Sequence, residues 1–306
     1  VADGHGGAEV AQLCMEQALP LVVAEASSMC DASSLSLQEA CSRACEHLHA
    51  LVDPSITSGT TLTIVAWNED RRELTAAHVG DSEAMLVTDE TSTMLTEKHR
   101  LADSAGERER VQAVSGVKLA QAMTSSGFPD GPIRAWPGGL AVCRSIGDND
   151  CLAVSAKPSL RSVALDAKGG AAVIVCSDGV WDALQTEKVA SHVRKCVTPA
   201  EAAERVVSKA VKLGLRDDTS SVVAWLDTPT WAASVAEQRA LGLGERLLRK
   251  IGHSPSSSTA SSPSSSLTPS PDLTPRNLTP VACENKAPST EQPKYKPKKT
   301  QFHVRM

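Results

Sequence analysis

The chain has 306 residues and a mass of 32.1 kDa, with 31 basic against 36 acidic residues, a formal net charge of −5 and 41% hydrophobic residues. This is apolar material for one large core plus an appendage, which excludes a collagen-like, coiled-coil or wholly disordered chain. The longest uncharged apolar runs, such as Ala171–Cys176, fall far short of the roughly 20 residues of a membrane helix, and an acidic chain with 3% aromatic residues is a poor match to nucleic acid as main partner.

In chain order, hydrophobic periodicity predicts helices over Ala8–Ala26, Ser36–Val52, Ser104–Ser115, Thr186–Cys196 and Pro199–Leu213. Extended runs fall at Thr61–Trp67, Leu74–Val79, Ala84–Val87, Ala171–Cys176 and Ser221–Leu226. They arrive as successive short strands joined by turn signals such as Asn68-Glu69-Asp70, which favours antiparallel pairing over a βαβ repeat. Residues 1–227 read as one domain. Residues 228–252 have the composition of an amphipathic helix or linker, with Val235, Leu241, Leu247, Leu248 and Ile251 among charges. Residues 253–306 are rich in Ser, Pro and Lys, with seven basic residues against three acidic ones. They are expected to be a disordered tail, since such a segment buries too little apolar surface to offset its ordering entropy.

The nine cysteines are odd in number and lack the spacing of a disulfide framework, so free thiols in a reducing, intracellular setting (cytoplasm, nucleus or both) are expected. Cys41, Cys45 and His49 share a helix face with Leu37, Ala44, Leu48 and Val52, which marks them as core filling. His47, His78, His99 and His192 have no evident convergent partners in the sequence.

Aspartates recur where strands end: Asp3 in Val1-Ala2-Asp3-Gly4-His5-Gly6-Gly7, Asp178 and Asp182 after the apolar run ending at Cys176, and Asp217-Asp218 just before Val222-Val223-Ala224-Trp225. A sheet holds such a carboxylate so that it points into a cleft. Several converging without a neutralising Arg or Lys would repel one another, and a hard divalent ion with oxygen ligands, magnesium or manganese rather than zinc, relieves that. Any one Asp-Gly alone is more often an ordinary turn. Other phosphate chemistries lack their residues: no Cys has an Arg six positions later, and neither Gly-x₄-Gly-Lys-Ser/Thr nor Gly-x-Ser-x-Gly occurs.

Taken together, these residues resemble the metal-dependent protein phosphatases of the protein phosphatase 2C (PPM) family. The resemblance is carried in order by Asp3-Gly4-His5-Gly6-Gly7, Ser58-Gly59-Thr60-Thr61, Val79-Gly80-Asp81-Ser82, Gly139–Asp148, Cys176–Asp182 and Asp217-Asp218-Thr219. Gly131–Gly139 further resembles plant-type members. The resemblance implies an α+β fold with a central antiparallel β-sandwich flanked by helices on both faces. It also implies a site for two Mg2+ or Mn2+ ions and a weak third. By position, Asp3 would bridge the two ions, the Gly4 carbonyl would ligate the second, Asp178 and Asp217 would hold the first, Asp182 would serve the third, and His5 would be the general acid. The implied reaction is hydrolysis of phosphoserine and phosphothreonine in proteins, by direct attack of a metal-bridging water. The alternative is a catalytically weakened member acting as a regulatory phosphoprotein-binding module.

Three positions depart from the family pattern. Lys98 stands where most members carry an acid serving the third ion, Glu83 replaces the usual arginine after Gly80-Asp81-Ser82, and Ala2 replaces a common aromatic residue. The family's phosphate-binding arginine and its Glu–Asp pair would lie before Val1, so the fragment as written is expected to be weakly active or inactive. In the tail, Ser254, Ser262, Thr268, Ser270, Thr274 and Thr279 each precede Pro, as targets of a proline-directed kinase would. A monomer is the expected state.

Overall fold

A computed structural model describes residues 1–29, 34–165, 170–214 and 217–226, together with the backbone of 281–285. The elements in order are β1 (Gly4–His5), α1 (Glu9–Ser27), α2 (Ser34–Leu51), β2 (Gly59–Thr60), β3 (Leu62–Asn68), β4 (Glu73–Val79), β5 (Glu83–Thr88), β6 (Ser92–Met94) and α3 (Ala105–Gln112). There follow β7 (Lys118–Met123), β8 (Pro129–Trp136), β9 (Ile146–Gly147), β10 (Ser159–Ala164), β11 (Ala171–Cys176), α4 (Asp178–Trp181), α5 (Thr186–Val193), α6 (Pro199–Lys212), β12 (Thr219–Trp225) and β13 (Val281–Asn285). Among the described residues no helix is long and apolar enough to cross a membrane.

All paired strands of the larger sheets run antiparallel, in the orders β10-β4-β3 and β13-β12-β11-β5-β6. The period of two explains how the sheets stack. Ala171, Val173 and Val175 of β11 join Ala84 and Leu86 of β5 and Leu74 and Ala76 of β4 in one cluster between the sheets. The intervening Ala172, Ile174 and Cys176 face the other way, onto Val180, Val189, Val193, Val206 and Ala210 of α4 to α6. On the far side, Ala77 and Val79 of β4 meet Val10, Cys14 and Val22 of α1 and Cys41, Ala44, Cys45 and Leu48 of α2. The result is the expected helix–sheet–sheet–helix sandwich, and Cys41 and Cys45 lie fully buried in its core.

The helix starts follow local chemistry. Ser104 and Thr198 accept from the backbone N–H of Glu107 and Glu201, and each cap contributes about 1 kcal/mol. Pro199 takes the first helical position, where its missing N–H costs nothing.

Two features differ from the sequence expectation. The hairpin β7–β8 was not foreseen, because Pro129, Asp130, Gly131 and Pro132 are all depleted in strands. Within the segment expected to be a disordered tail, 281–285 pairs with β12, Asn285 opposite Thr219 and Val281 opposite Val223. The short apolar run Val281-Ala282-Cys283 there can complete an otherwise open sheet edge. The amphipathic segment expected over 228–252 and the rest of the tail lie outside the described residues.

Candidate metal and acid–base site

The three aspartate turns meet at one end of the sandwich, and each is fixed by backbone or hydroxyl contacts. Asp3 is placed by Thr61, whose N–H donates to the Asp3 carbonyl at 3.0 Å and whose Oγ1 accepts from the Asp3 N–H at 3.1 Å. Asp178 follows the tip of β11. There the Ser177 hydroxyl donates to the Asp218 carbonyl at 3.1 Å and accepts from the Ser220 N–H at 2.9 Å, binding the second and third turns together. Gly179 permits this approach, since a Cβ there would stand 2.6 Å from the Asp218 carbonyl oxygen.

His5 reaches the same end through a miniature sheet in which β1 pairs with β2 and β2 with β9. This brings Nε2 of His5 to 2.7 and 2.9 Å from the two carboxylate oxygens of Asp148. Asp148 is almost fully buried and also accepts from the Ser145 hydroxyl. Its carboxylate fills the space that a Cβ at residue 59 would take, which is why glycine stands there. Burial disfavours the charged imidazole, but the Asp148 hydrogen bond outweighs it and raises the His5 pKa above its usual value. The His5 side chain remains 39% exposed, open to a substrate. Asp148 lies within the quoted Gly139–Asp148 motif, yet nothing in the sequence says that it partners His5.

The carboxylates perturb one another. Burial, and then the charges of Asp178, Asp217, Asp81 and Asp218, push Asp3 up to about 7. Burial, Asp81 and Asp217 push Asp178 up to about 6. Two acids whose charge is opposed by burial and by neighbouring carboxylates, in an all-oxygen donor set, fit a hard divalent cation that would offset that charge. Asp3, Asp178 and Asp217 are therefore brought into one electrostatic cluster, with Gly4 in the strand next to Asp3.

One expectation about this cluster is overturned. It does contain a neutralising arginine: Arg100 donates through Nε to Asp81 at 2.6 Å, through Nη2 to Asp178 at 2.5 Å and through Nη1 to Asp182 at 2.7 Å. Sequence reasoning missed it because Arg100 comes from the loop after β6, distant in sequence from every aspartate it meets. Among the described residues, no three His, Cys, Asp or Glu side chains converge closely enough to hold a metal ion as they stand. Asp182 fits a third ion least. Lys98 donates to it at 3.0 Å, and together with Arg100 overcomes the effect of burial to hold its carboxyl below the usual value. Lys98 also lies 4.0 Å from Glu83, so the two departures from the family pattern face each other as an ion pair of opposite sense.

Two histidines expected to lack partners also converge. The rings of His78 and His99 stack at 4.2 Å and 6°. His99 accepts from the Gly80 N–H at 3.2 Å, which places its proton on Nε2, donating to Ser159 at 2.8 Å. Burial and the neighbouring His78 push His99 down to about 2, so it is a neutral structural group fixing the Asp81 turn.

Comparison with known proteins bears on the family and the fold. The family model described as "Protein phosphatase 2C" matches residues 1–219. The chain is 44% identical over 170 residues to a probable protein phosphatase 2C 33 of Oryza sativa subsp. japonica, covering 54% of this chain and 38% of that protein. It is 40% identical over 197 residues to a probable protein phosphatase 2C 12 of Arabidopsis thaliana, covering 61% and 44%. The chain thus spans about two fifths of the length of these relatives. In fold it is similar to a C. elegans sex determining protein (TM-score 0.65, 23% identity, 75% of this chain and 57% of that one). It is also similar to a serine-threonine phosphatase 2C from Toxoplasma gondii (TM-score 0.55, 18% identity, 73% and 82%). With a family model covering most of its length and six motifs in the same order, the chain belongs to the protein phosphatase 2C family, in its plant-type subgroup.

Proposed function

We propose that this chain forms the greater part of the catalytic domain of a metal-dependent phosphatase acting on phosphoserine and phosphothreonine in proteins. The observation that carries the reading is the mutual repulsion of Asp3, Asp178 and Asp217, which with burial raises the pKa of Asp3 and of Asp178, beside an exposed His5 held by a buried Asp148.

Asp3, the Gly4 carbonyl, Asp178 and Asp217 are the residues that would hold two Mg2+ or Mn2+ ions. When bound, divalent ions there lower the proton affinity of water and offset phosphoryl charge. The chain's own residues do the rest. Asp148 holds Nε2 of His5 and stabilises its imidazolium, so that a proton is ready at the other ring nitrogen, Nδ1, for the departing serine or threonine oxygen. Arg100 fixes Asp81 and Asp182 and holds one oxygen of Asp178, Oδ2. Lys98 supplies a tethered positive charge at Asp182, in place of the third ion.

The substrates proposed are phosphorylated proteins. The protein is further proposed to be an intracellular monomer, in cytoplasm or nucleus, whose Ser/Pro tail is a target for a proline-directed kinase. The test is hydrolysis of a phosphothreonine peptide by the full-length protein, with and without Mn2+, beside Asp178→Asn. Turnover that needs Mn2+ and is lost in the variant is expected. A folded wild-type protein with no turnover would instead favour a binding module.

A further inference from the structure

The loop that carries Asp148 is anchored at three successive residues to α2 and to the connection between α2 and β2. The Gly147 N–H donates to Nδ1 of His49 at 3.1 Å, and the Asp148 N–H donates to the Ser58 carbonyl at 3.1 Å. The Asn149 side-chain amide donates to the Asp53 and Ile56 carbonyls at 3.1 and 3.2 Å. These bonds hold the backbone, including the left-handed φ of 53° at Asp148. They do not hold the carboxylate, because the terminal torsion of an aspartate is soft.

That last freedom is taken up by a residue inside the same loop. Ser145 and Asp148 are each 1% exposed. The Ser145 hydroxyl donates to Oδ2 of Asp148, three residues on, while Nε2 of His5 lies 2.7 Å from Oδ1 and 2.9 Å from Oδ2. Among the described residues, His5 and Ser145 are the groups that hydrogen-bond to this carboxylate.

We propose that Ser145 is a positioning residue for the acid step: its hydroxyl fixes the plane of the Asp148 carboxylate, and through it the direction in which His5 presents Nδ1 to the leaving oxygen. The role rests on the phosphatase reading above. With His5 as its one partner the carboxylate could turn, and the imidazole bonded to it would turn with it. A second donor on Oδ2 removes that rotation, and orientation of the donating atom is what a proton transfer in the transition state requires. The protons balance. The imidazolium gives its Nδ1 proton to the departing oxygen, the Nε2 proton stays in the bond to Asp148, and the Ser145 proton stays on its hydroxyl. Being buried, Ser145 acts through Asp148 and not on the substrate. Because the loop backbone has its own anchors at His49, Asp53, Ile56 and Ser58, loss of the hydroxyl leaves the loop in place.

The test compares Ser145→Ala with wild type in the full-length protein with Mn2+, on a phosphothreonine peptide and on p-nitrophenyl phosphate. A departing threonine oxygen needs the proton from His5, whereas nitrophenolate leaves with little help. The kcat for the peptide should fall about ten-fold more than the kcat for the aryl ester, with the peptide KM little changed. The metal-free protein gives a reading independent of turnover. The His5 ring proton bonded to Asp148, assigned by its absence in His5→Gln, should give a downfield proton resonance in wild type that is lost or broadened in Ser145→Ala. Equal loss on both substrates would make Ser145 a brace of the fold, and an unchanged resonance would mean that Asp148 needs no second donor; either result overturns the proposal. A wild-type protein without Mn2+-dependent turnover would sink the phosphatase reading instead, and the resonance would still show whether Ser145 orders the His5–Asp148 pair.

Discussion

Lys98 and Asp182 are joined at 3.0 Å across 84 residues of chain, and the same ammonium lies 4.0 Å from Glu83. A cation carried by the protein thus occupies ground that the family resemblance would give to an ion. Replacing Lys98 by Asp should remove the tether and set three carboxylates together. The loss of stability should be about 1 kcal/mol at low salt, because the pair is partly exposed. Mn2+ titration by calorimetry should then show an added weak binding step. An unchanged isotherm would mean that Lys98 does not stand in for an ion.

Asp3→Asn replaces the most strongly perturbed carboxyl with a neutral isostere. Since Asp3 is driven up to about 7 by burial and four neighbouring aspartates, the variant should be more stable than wild type without metal, by about 1–2 kcal/mol near pH 7.5. It should also lose the rise in Tm that Mn2+ gives the wild type. Urea unfolding with and without the ion reads both effects.

The pH dependence of the metal-free protein follows in sign. Asp3 and Glu83, both pushed up to about 7, and His5, also raised, bind protons more tightly folded than unfolded. Their contribution therefore falls as pH rises through those values. The lowered His78 and His99 act in the opposite sense, but only below the ordinary histidine pKa. The buried Val1 amino group, lowered to about 6, opposes Asp3, Glu83 and His5 in the same window, so the sign is read by difference: the metal-free Tm advantage of Asp3→Asn over wild type should grow from about pH 6.5 to about pH 7.5. An advantage that shrinks over this range would contradict the shift assigned to Asp3.

Asp148→Asn should cut turnover of the full-length protein about 10²-fold, the scale of a lost general acid. It should also move the alkaline limb of the kcat profile to lower pH, because Asp148 is what raises the His5 pKa. A purely structural role for Asp148 would lower activity without moving that limb.

The expected sandwich was legible because β4, β5 and β11 alternate cleanly between two apolar clusters, and the helix faces repeat at three and four residues. The aspartates were legible for a different reason: Asp178 and Asp217 flank strands with unmistakable apolar runs, and Asp3 opens the glycine-rich run Gly4-His5-Gly6-Gly7. Arg100 and Asp148 were not. Their significance lies in contacts across 78 and 143 residues, and a single sequence carries no sign of which distant partner a charge will meet. The hairpin β7–β8 failed for want of propensity, its turn-forming residues being held in strand by pairing alone.

Glu107 is the main brace of the loop that carries Arg144. Nearly buried, it accepts from Arg110 at 2.9 Å and from Arg144 at 2.7 Å. Glu107→Ala leaves two guanidiniums without their counter-ion and should cost about 3 kcal/mol in urea unfolding. Glu107→Gln should recover part of that loss.

Every residue of β11 is buried on both faces, so sliding the strand by one position would still bury an apolar run. Hydrophobicity alone does not tell this strand where to stop. The Ser177 hydroxyl, spanning from the Asp218 carbonyl to the Ser220 N–H, does. The polar tip that presents the carboxylates thereby doubles as the index mark against which the sheet is aligned, and a Ser177→Ala protein should misalign or fold heterogeneously before it loses any chemistry.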